Sequence, residues 1–151
     1  MDAYCESAFI GGRIVFFSSS TTKFSSIGPT YVLYAATKGA VEQLTRVLAK
    51  DFGAKGTTVN CVAPGPVDTE MFRNGKTEEL IGSIASLHPQ NRIAESDEIA
   101  PIVAFLSREE AEWVNGQTIF VNGVSFGMVL FLRSLALMLI SMCRRASRSD
   151  E

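Results

Sequence analysis

Arg13-Ile14-Val15-Phe16-Phe17, closed by Ser18-Ser19-Ser20-Thr21-Thr22, is answered forty residues later by Thr57-Thr58-Val59-Asn60-Cys61-Val62-Ala63. Each run is short, β-branched or aromatic, and bounded by glycine or polar residues, so each reads as a buried strand. Between them Leu33, Ala36, Ala40, Leu44, Val47 and Leu48 recur at helical spacing. That pattern predicts one long helix over 31–52, with Thr30 as its N-cap and Gly53 and Gly56 ending it. Strand, a single crossover helix, strand is a parallel βαβ unit, because a parallel pair cannot be joined by a tight turn. The expected class is therefore α/β with a parallel sheet.

Outward from this unit the pattern continues. Pro64-Gly65-Pro66-Val67-Asp68-Thr69 leaves the second strand as an irregular turn. Residues 70–93 are polar and helical in parts, broken at Gly75, Gly82 and Pro89, and read either as a lid over a pocket or as a surface excursion. Ser96 is the expected cap of another helix, with Asp97 and Glu98 in its first turn and an apolar face of Ile99, Ile102, Val103, Phe105 and Leu106. After a short turn at 109–113, residues 117–121 form a third strand, ended by Asn122-Gly123. Residues 1–10 read as the end of a helix.

The bulk properties exclude several classes. With 151 residues, 46% of them hydrophobic and 20% charged, the chain is long and apolar enough for one cored domain. A net charge of −2 offers no nucleic-acid surface. Cys5, Cys61 and Cys143 are scattered and odd in number, which argues against a disulfide framework or zinc site and suits a reducing compartment. His88 is the single histidine, so Ser-His-Asp chemistry and histidine metal sites are poorly supported.

Tyr34 and Lys38 stand four residues apart and so share one face of the predicted helix. A free phenol ionises near pH ~10, and a neighbouring cation favours the ionised form. A phenol treated this way is a proton donor or acceptor for carbonyl and alcohol chemistry. The pair alone is common on solvated helices. The serine cluster and the Pro64–Thr69 turn add to it, since both lie at carboxyl ends of parallel strands, where open α/β sheets bind ligands.

Four features in one order, Gly12-Arg13-Ile14-Val15 ending in serines, the Tyr34-x-x-x-Lys38 helix, Asn60-x-Val62-Ala63-Pro64-Gly65-Pro66-Val67-x-Thr69 and Gly116-Gln117-x-Ile119-x-Val121-Asn122-Gly123, resemble the carboxyl-terminal half of a short-chain dehydrogenase/reductase. The resemblance covers roughly residues 8–123. It is nearest the branch holding 3-oxoacyl-carrier-protein reductases and NADPH-dependent aldehyde reductases. It implies a partial doubly wound, Rossmann-like parallel sheet, and a hydride passed between NAD(P)H and a carbonyl or alcohol substrate. Tyr34 would be the general acid/base. Lys38 would bind the nicotinamide ribose and lower the phenol pKa. Ser19 would hydrogen-bond the substrate oxygen, with Ser20 as runner-up because Ser19 lies 15 residues from Tyr34 where 13 or 14 is usual. Pro64, Gly65, Val67 and Thr69 would contact the nicotinamide carboxamide. NADP is preferred to NAD as cofactor, although the discriminating residues belong to the half of the family pattern not seen here.

That pattern begins with a βαβ unit whose Thr-Gly-x-x-x-Gly-x-Gly turn receives the pyrophosphate at a helix N-terminus, and no such glycine motif occurs in this sequence. The chain therefore reads as lacking the N-terminal dinucleotide-binding unit, as from a truncated gene model or altered splice product, with one sheet edge open and little or no turnover of its own. Val124 stands where the family has a second glycine. We expect 1–123 to form the α/β unit and 124–151 an atypical tail, an apolar helix over 127–143 followed by basic residues. As a helix, 127–143 is about 26 Å long against a hydrocarbon core of about 30 Å, and Arg133 interrupts it; a core-packing or poorly ordered extension is expected over a membrane tail. Expected partners are a small carbonyl or alcohol substrate and a second subunit, either an identical copy or a full-length homologue joined through the 31–52 helix. The expected compartment is cytoplasmic, or organellar if a transit peptide precedes this stretch.

Overall fold

The computed structural model describes residues 11–24 and 27–124. The predicted helix end in 1–10 and the apolar helix of 127–143 lie outside the described residues. Three strands, β1 (Arg13–Phe17), β2 (Thr58–Pro64) and β3 (Thr118–Val121), form one parallel sheet in the order β1-β2-β3. Arg13 pairs with Thr58 and Phe17 with Val62, while Cys61 pairs with Thr118 and Pro64 with Val121. The parallel α/β architecture expected from the βαβ pattern is present.

Helix α1 (Val32–Gly53) connects β1 to β2, α2 (Glu70–Arg73) and α3 (Glu78–Ala85) lie in the excursion, and α4 (Ser96–Leu106) precedes β3. Strand alternation sends successive β2 side chains to opposite sheet faces, and β2 is buried along nearly its whole length. On one face Val62 packs with Ile99 and Leu106 of α4, joined by Val15, Ile119 and Val121. On the other, Cys61 meets Thr45 and Ser18 beneath α1.

Several local expectations change. Among the described residues β1 is an edge strand, half-buried and not enclosed, because only β2 lies beside it. Helix α1 enters through a 3₁₀ turn, Pro29–Tyr31, with the Tyr31 amide donating to Gly28 O at 3.0 Å, so Thr30 is not its cap. Gly82 sits inside α3, and the break falls at Gly75, whose φ is +73°. Glu95, not Ser96, is the N-cap of α4: its amide donates to Glu98 Oε2 at 2.8 Å. Phe105 turns away from the core that Ile99 and Leu106 enter.

The packing of α1 is decided by the structure. Its buried residues are Glu42, Thr45 and Ala49. Most of the apolar series read from the sequence points outward, with Leu33 79%, Leu44 46% and Val47 56% exposed, while Leu48 is half-buried. The spacing identified the helix, and the structure shows which of its faces meets the sheet.

Candidate active site

The chain leaves β1 at Phe17, and the Ser18 amide extends the ladder by donating to Val62 O at 2.8 Å. Ser19, extended at φ −153°, then caps a 3₁₀ turn (Ser20–Lys23): its Oγ accepts from the Thr21 amide at 3.3 Å. That use leaves the Ser19 hydroxyl proton free to donate elsewhere. Ser18 is differently placed, with Oγ 3.0 Å from both Lys38 O and Glu42 Oε1. Ser20, the runner-up, is buried beside them.

Across from this turn, Lys38 Nζ donates to Phe17 O at 3.0 Å and lies 5.7 Å from the centroid of the Tyr34 ring. Helical spacing delivers ammonium and phenol to one place, as expected, and the strand-end carbonyl fixes the ammonium there. One of its three protons is used. The Tyr34 ring meets Tyr31 edge to face, centroids 6.4 Å apart.

The third wall is the turn after β2. The Gly65 amide donates to Val121 O at 3.0 Å, and a Cβ at Gly65 would come 2.9 Å from Asn122 Cβ, so a glycine is needed for this close approach. Val67 forms a parallel bridge with Ala94, and the Asp68 amide donates to Ala94 O at 2.8 Å. These contacts close the base of the 70–93 excursion. Thr69 caps α2, its Oγ1 accepting from the Phe72 amide at 3.2 Å.

Ser19, Tyr34, Lys38, Pro64, Gly65, Val67 and Thr69 all line one cavity of about 600 Å³, within the size range of small-molecule sites. Phe24, Met71, Phe72, Ile84 and Leu87 supply an apolar side, so the excursion covers part of the cavity. Sequence reasoning did not single out Lys76, which lines the cavity with Nζ 4.6 Å from the Phe72 ring, or Glu42. Glu42 was findable as the acidic residue one turn beyond Lys38 on the same helix face.

Two guanidinium–carboxylate pairs hold the ends of the excursion. Arg73 clasps Asp68 at 2.5 and 2.7 Å and holds its carboxyl below the usual range. Arg92 clasps Glu98 with both contacts at 2.6 Å, and together with the Glu95 amide lowers the Glu98 carboxyl to about 2. Burial pushes the Cys61 thiol up, against weaker opposing contacts from Ser18 and Thr45. Among the described residues no cluster of histidine, cysteine or carboxylate could hold a metal ion, and no helix is long and apolar enough to cross a membrane.

A parallel sheet with helices on its faces and a cavity at the strands' carboxyl ends defines the doubly wound α/β class. Comparison with known proteins narrows this. Residues 4–124 match the family described as enoyl-(acyl carrier protein) reductase. The chain is 50% identical over 113 residues to an Arabidopsis thaliana "NADPH-dependent aldehyde reductase-like protein, chloroplastic", covering 75% of this chain and 41% of that one. The crystal structure of angucycline C-6 ketoreductase LanV with bound NADP superposes with TM-score 0.69 at 35% identity, over 77% of this chain and 44% of the other. A Serratia marcescens short-chain dehydrogenase/reductase gives TM-score 0.69 and 35% identity over 77% and 46%. The chain belongs to the short-chain dehydrogenase/reductase family, and it spans less than half the length of these relatives.

The donor set fits the nicotinamide–ribose end of NAD(P)H. Lys38 has two protons to give beyond Phe17 O, and the Pro64–Thr69 turn borders the same cavity. For the pyrophosphate the sequence holds no glycine-rich fingerprint.

Proposed function

We propose that this chain carries the catalytic side of an NAD(P)-dependent oxidoreductase that interconverts a carbonyl compound and an alcohol, with NADP preferred. The supporting observation is the convergence of Ser19, Tyr34, Lys38 and the Pro64–Thr69 turn on one cavity. Ser19 donates its hydroxyl proton to the substrate oxygen. Tyr34 gives that oxygen a proton in reduction and takes one in oxidation. Lys38, anchored on Phe17 O, hydrogen-bonds the ribose hydroxyls. Pro64, Gly65, Val67 and Thr69 hold the carboxamide. When bound, the nicotinamide supplies or accepts the hydride. The half of the cofactor beyond the ribose lacks a glycine-rich site in this sequence, so turnover by the chain alone is at or near zero. Residues 1–123 act as the α/β unit and 124–151 as its tail, in a reducing compartment, cytoplasmic or organellar.

Two measurements test this. Reduced nicotinamide mononucleotide, which needs no adenosine site, binds the purified 151-residue chain by NMR titration, and Lys38→Ala weakens it by about tenfold, roughly the 1.4 kcal/mol of one charge-assisted hydrogen bond. Absence of binding, or binding indifferent to Lys38→Ala, overturns the site assignment. Vigorous NADPH-dependent aldehyde reduction by the chain, abolished in Tyr34→Phe, confirms the roles and refutes the expected inactivity.

A second reading is favoured by the outward apolar stripe of α1. Leu33, Leu44 and Val47 form an exposed row with Ala36 and Ala40, a surface suited to another helix pair. On this reading the chain is a non-catalytic partner that associates with a full-length homologue, or with its own copy, through α1. Co-purification with a full-length reductase, lost in the double variant Leu44→Glu/Val47→Glu, supports it. A chain that sediments alone at micromolar concentration in both forms refutes it.

A further inference from the structure

A buried carboxylate sits behind the cavity, and the reaction scheme above gives it no task. Glu42 is 3% exposed, one helical turn beyond Lys38 and two beyond Tyr34. Its Oε1 accepts from Thr22 Oγ1 at 2.5 Å and lies 3.0 Å from Ser18 Oγ. Its Oε2 lies 3.6 Å from the ammonium of Lys23. Ser18, Thr22 and Lys23 all belong to the segment that leaves β1, and they flank Ser19 on both sides. The Thr22 amide also donates to Ser19 O at 3.2 Å, and that carbonyl lies 3.0 Å from the Thr22 hydroxyl, whose single proton it shares with Glu42 Oε1.

A carboxylate taken from water is costly unless its lone pairs are satisfied, and ionised acceptors make the stronger, shorter hydrogen bonds. Such a group is a poor choice for packing alone, since an apolar residue of that size would cover β2 at less cost. What an apolar residue cannot do is hold two hydroxyls and an ammonium of one short turn against a helix. The Ser18 hydroxyl has a single proton and two acceptors, Lys38 O and Glu42 Oε1, each 3.0 Å away. The same hydroxyl therefore ties the turn to the helix at the level of Lys38 as well.

We propose that Glu42 is a positioning residue: it clamps the serine turn onto α1 and so sets where the Ser19 hydroxyl stands relative to Tyr34 and Lys38. The clamp is a statement about the chain itself, and only its service to the reaction rests on the reductase reading. Because Glu42, Lys38 and Tyr34 share one face of one helix, a single rigid element carries both the clamp and the proton-transfer pair. The turn is then fixed from the helix side by Glu42 and from the sheet side by the Ser18 amide on Val62 O.

The test is residue-resolved amide hydrogen exchange on the ¹⁵N-labelled 151-residue chain. In Glu42→Ala the amides of Thr21, Thr22 and Phe24, which close the turn, exchange about tenfold faster, the order expected for losing a hydrogen bond to a charged group, while those of β2 keep their protection. Glu42→Gln, which keeps an acceptor of the same reach, restores part of the protection. Thr22→Val loosens the turn without altering the helix, and its effect combined with Glu42→Ala is less than the sum of the two, because both remove the Thr22–Glu42 bond. Unchanged exchange at Thr21 and Thr22 in both single variants overturns the clamp. So does a rise spread equally over β2, which would make Glu42 a packing residue; if Glu42→Ala does not fold, Thr22→Val and Glu42→Gln decide between the same outcomes. None of these readouts uses turnover or nucleotide, so failure of the reductase reading leaves them standing.

Discussion

The cavity has two walls held by different forces. The wall that carries Ser19, Tyr34 and Lys38 is fixed by hydrogen bonds that include buried ones: the Ser18 amide on Val62 O and Glu42 on Ser18, with Glu42 on Thr22 partly buried and Lys38 on Phe17 O exposed. The wall made by residues 70–93 is pinned at its two ends by guanidinium–carboxylate pairs in solvent, Arg73 with Asp68 and Arg92 with Glu98, plus one bridge between Val67 and Ala94. Buried bonds shielded from water specify one geometry, whereas exposed ion pairs contribute little and are screened by salt. Groups proposed for proton transfer need a fixed geometry, and they stand on the wall with the buried fastenings.

Three predictions press on this contrast. The largest effect should come from the floor both walls share. Leu106 is fully buried against Val62 and Ile99, so Leu106→Ala costs about 2–5 kcal/mol in urea unfolding and loosens both walls together. Loss of protection in one wall only would show that they do not rest on a common core.

A smaller effect separates the walls. Gly65→Ala drives a methyl within 3.0 Å of the Asn122 Cα, backbone that cannot swing aside, so overpacking of about 1–3 kcal/mol is expected. Amide exchange should rise at Val67–Thr69 and in the excursion, while Ser18–Lys23 stays protected. A uniform rise would erase the distinction.

The smallest effect is electrostatic. Asp68 and Glu98 both have carboxyls held below their ordinary values in the folded chain, so they stabilise it above those values and stop doing so as the pH falls. For Glu98 the loss runs from about 4.5 down to about 2, and for Asp68 it begins below about 3.8. Acid, and molar salt at neutral pH, should therefore lower amide protection, relative to intrinsic exchange at the same pH, in 70–93 before the serine turn responds. Simultaneous loosening of both walls would mean the ion pairs are not what fastens the excursion.

Much of this was legible in the residues. β-branched runs of five and seven residues around a helical period left few arrangements but a parallel βαβ unit, and chain order alone placed the serines and the Pro64–Thr69 turn at strand ends. Tyr34 and Lys38 met because four residues is one helical turn. Three features were not legible. Hydrophobic periodicity shows that a helix has two faces without saying which meets the sheet, and in α1 the inner face is Glu42, Thr45 and Ala49. Thr30 and Ser96 had the composition of caps, yet a 3₁₀ entry and the Glu95–Glu98 pair took those positions. The approach of Gly65 to Asn122 joins residues far apart in sequence, so no local pattern announces it.

The sequence by itself determined the layering of strand and helix and the family, since both follow from short-range spacing and the order of motifs. Only the tertiary structure decided that a glutamate is buried against the serine turn, that α1 turns Leu33, Leu44 and Val47 outward, and that residues 70–93 cover part of the cavity. Those outcomes depend on which surfaces meet once the sheet has formed. A carboxylate enters the interior when hydroxyls from another segment are there to receive it, and that condition exists only in the folded chain.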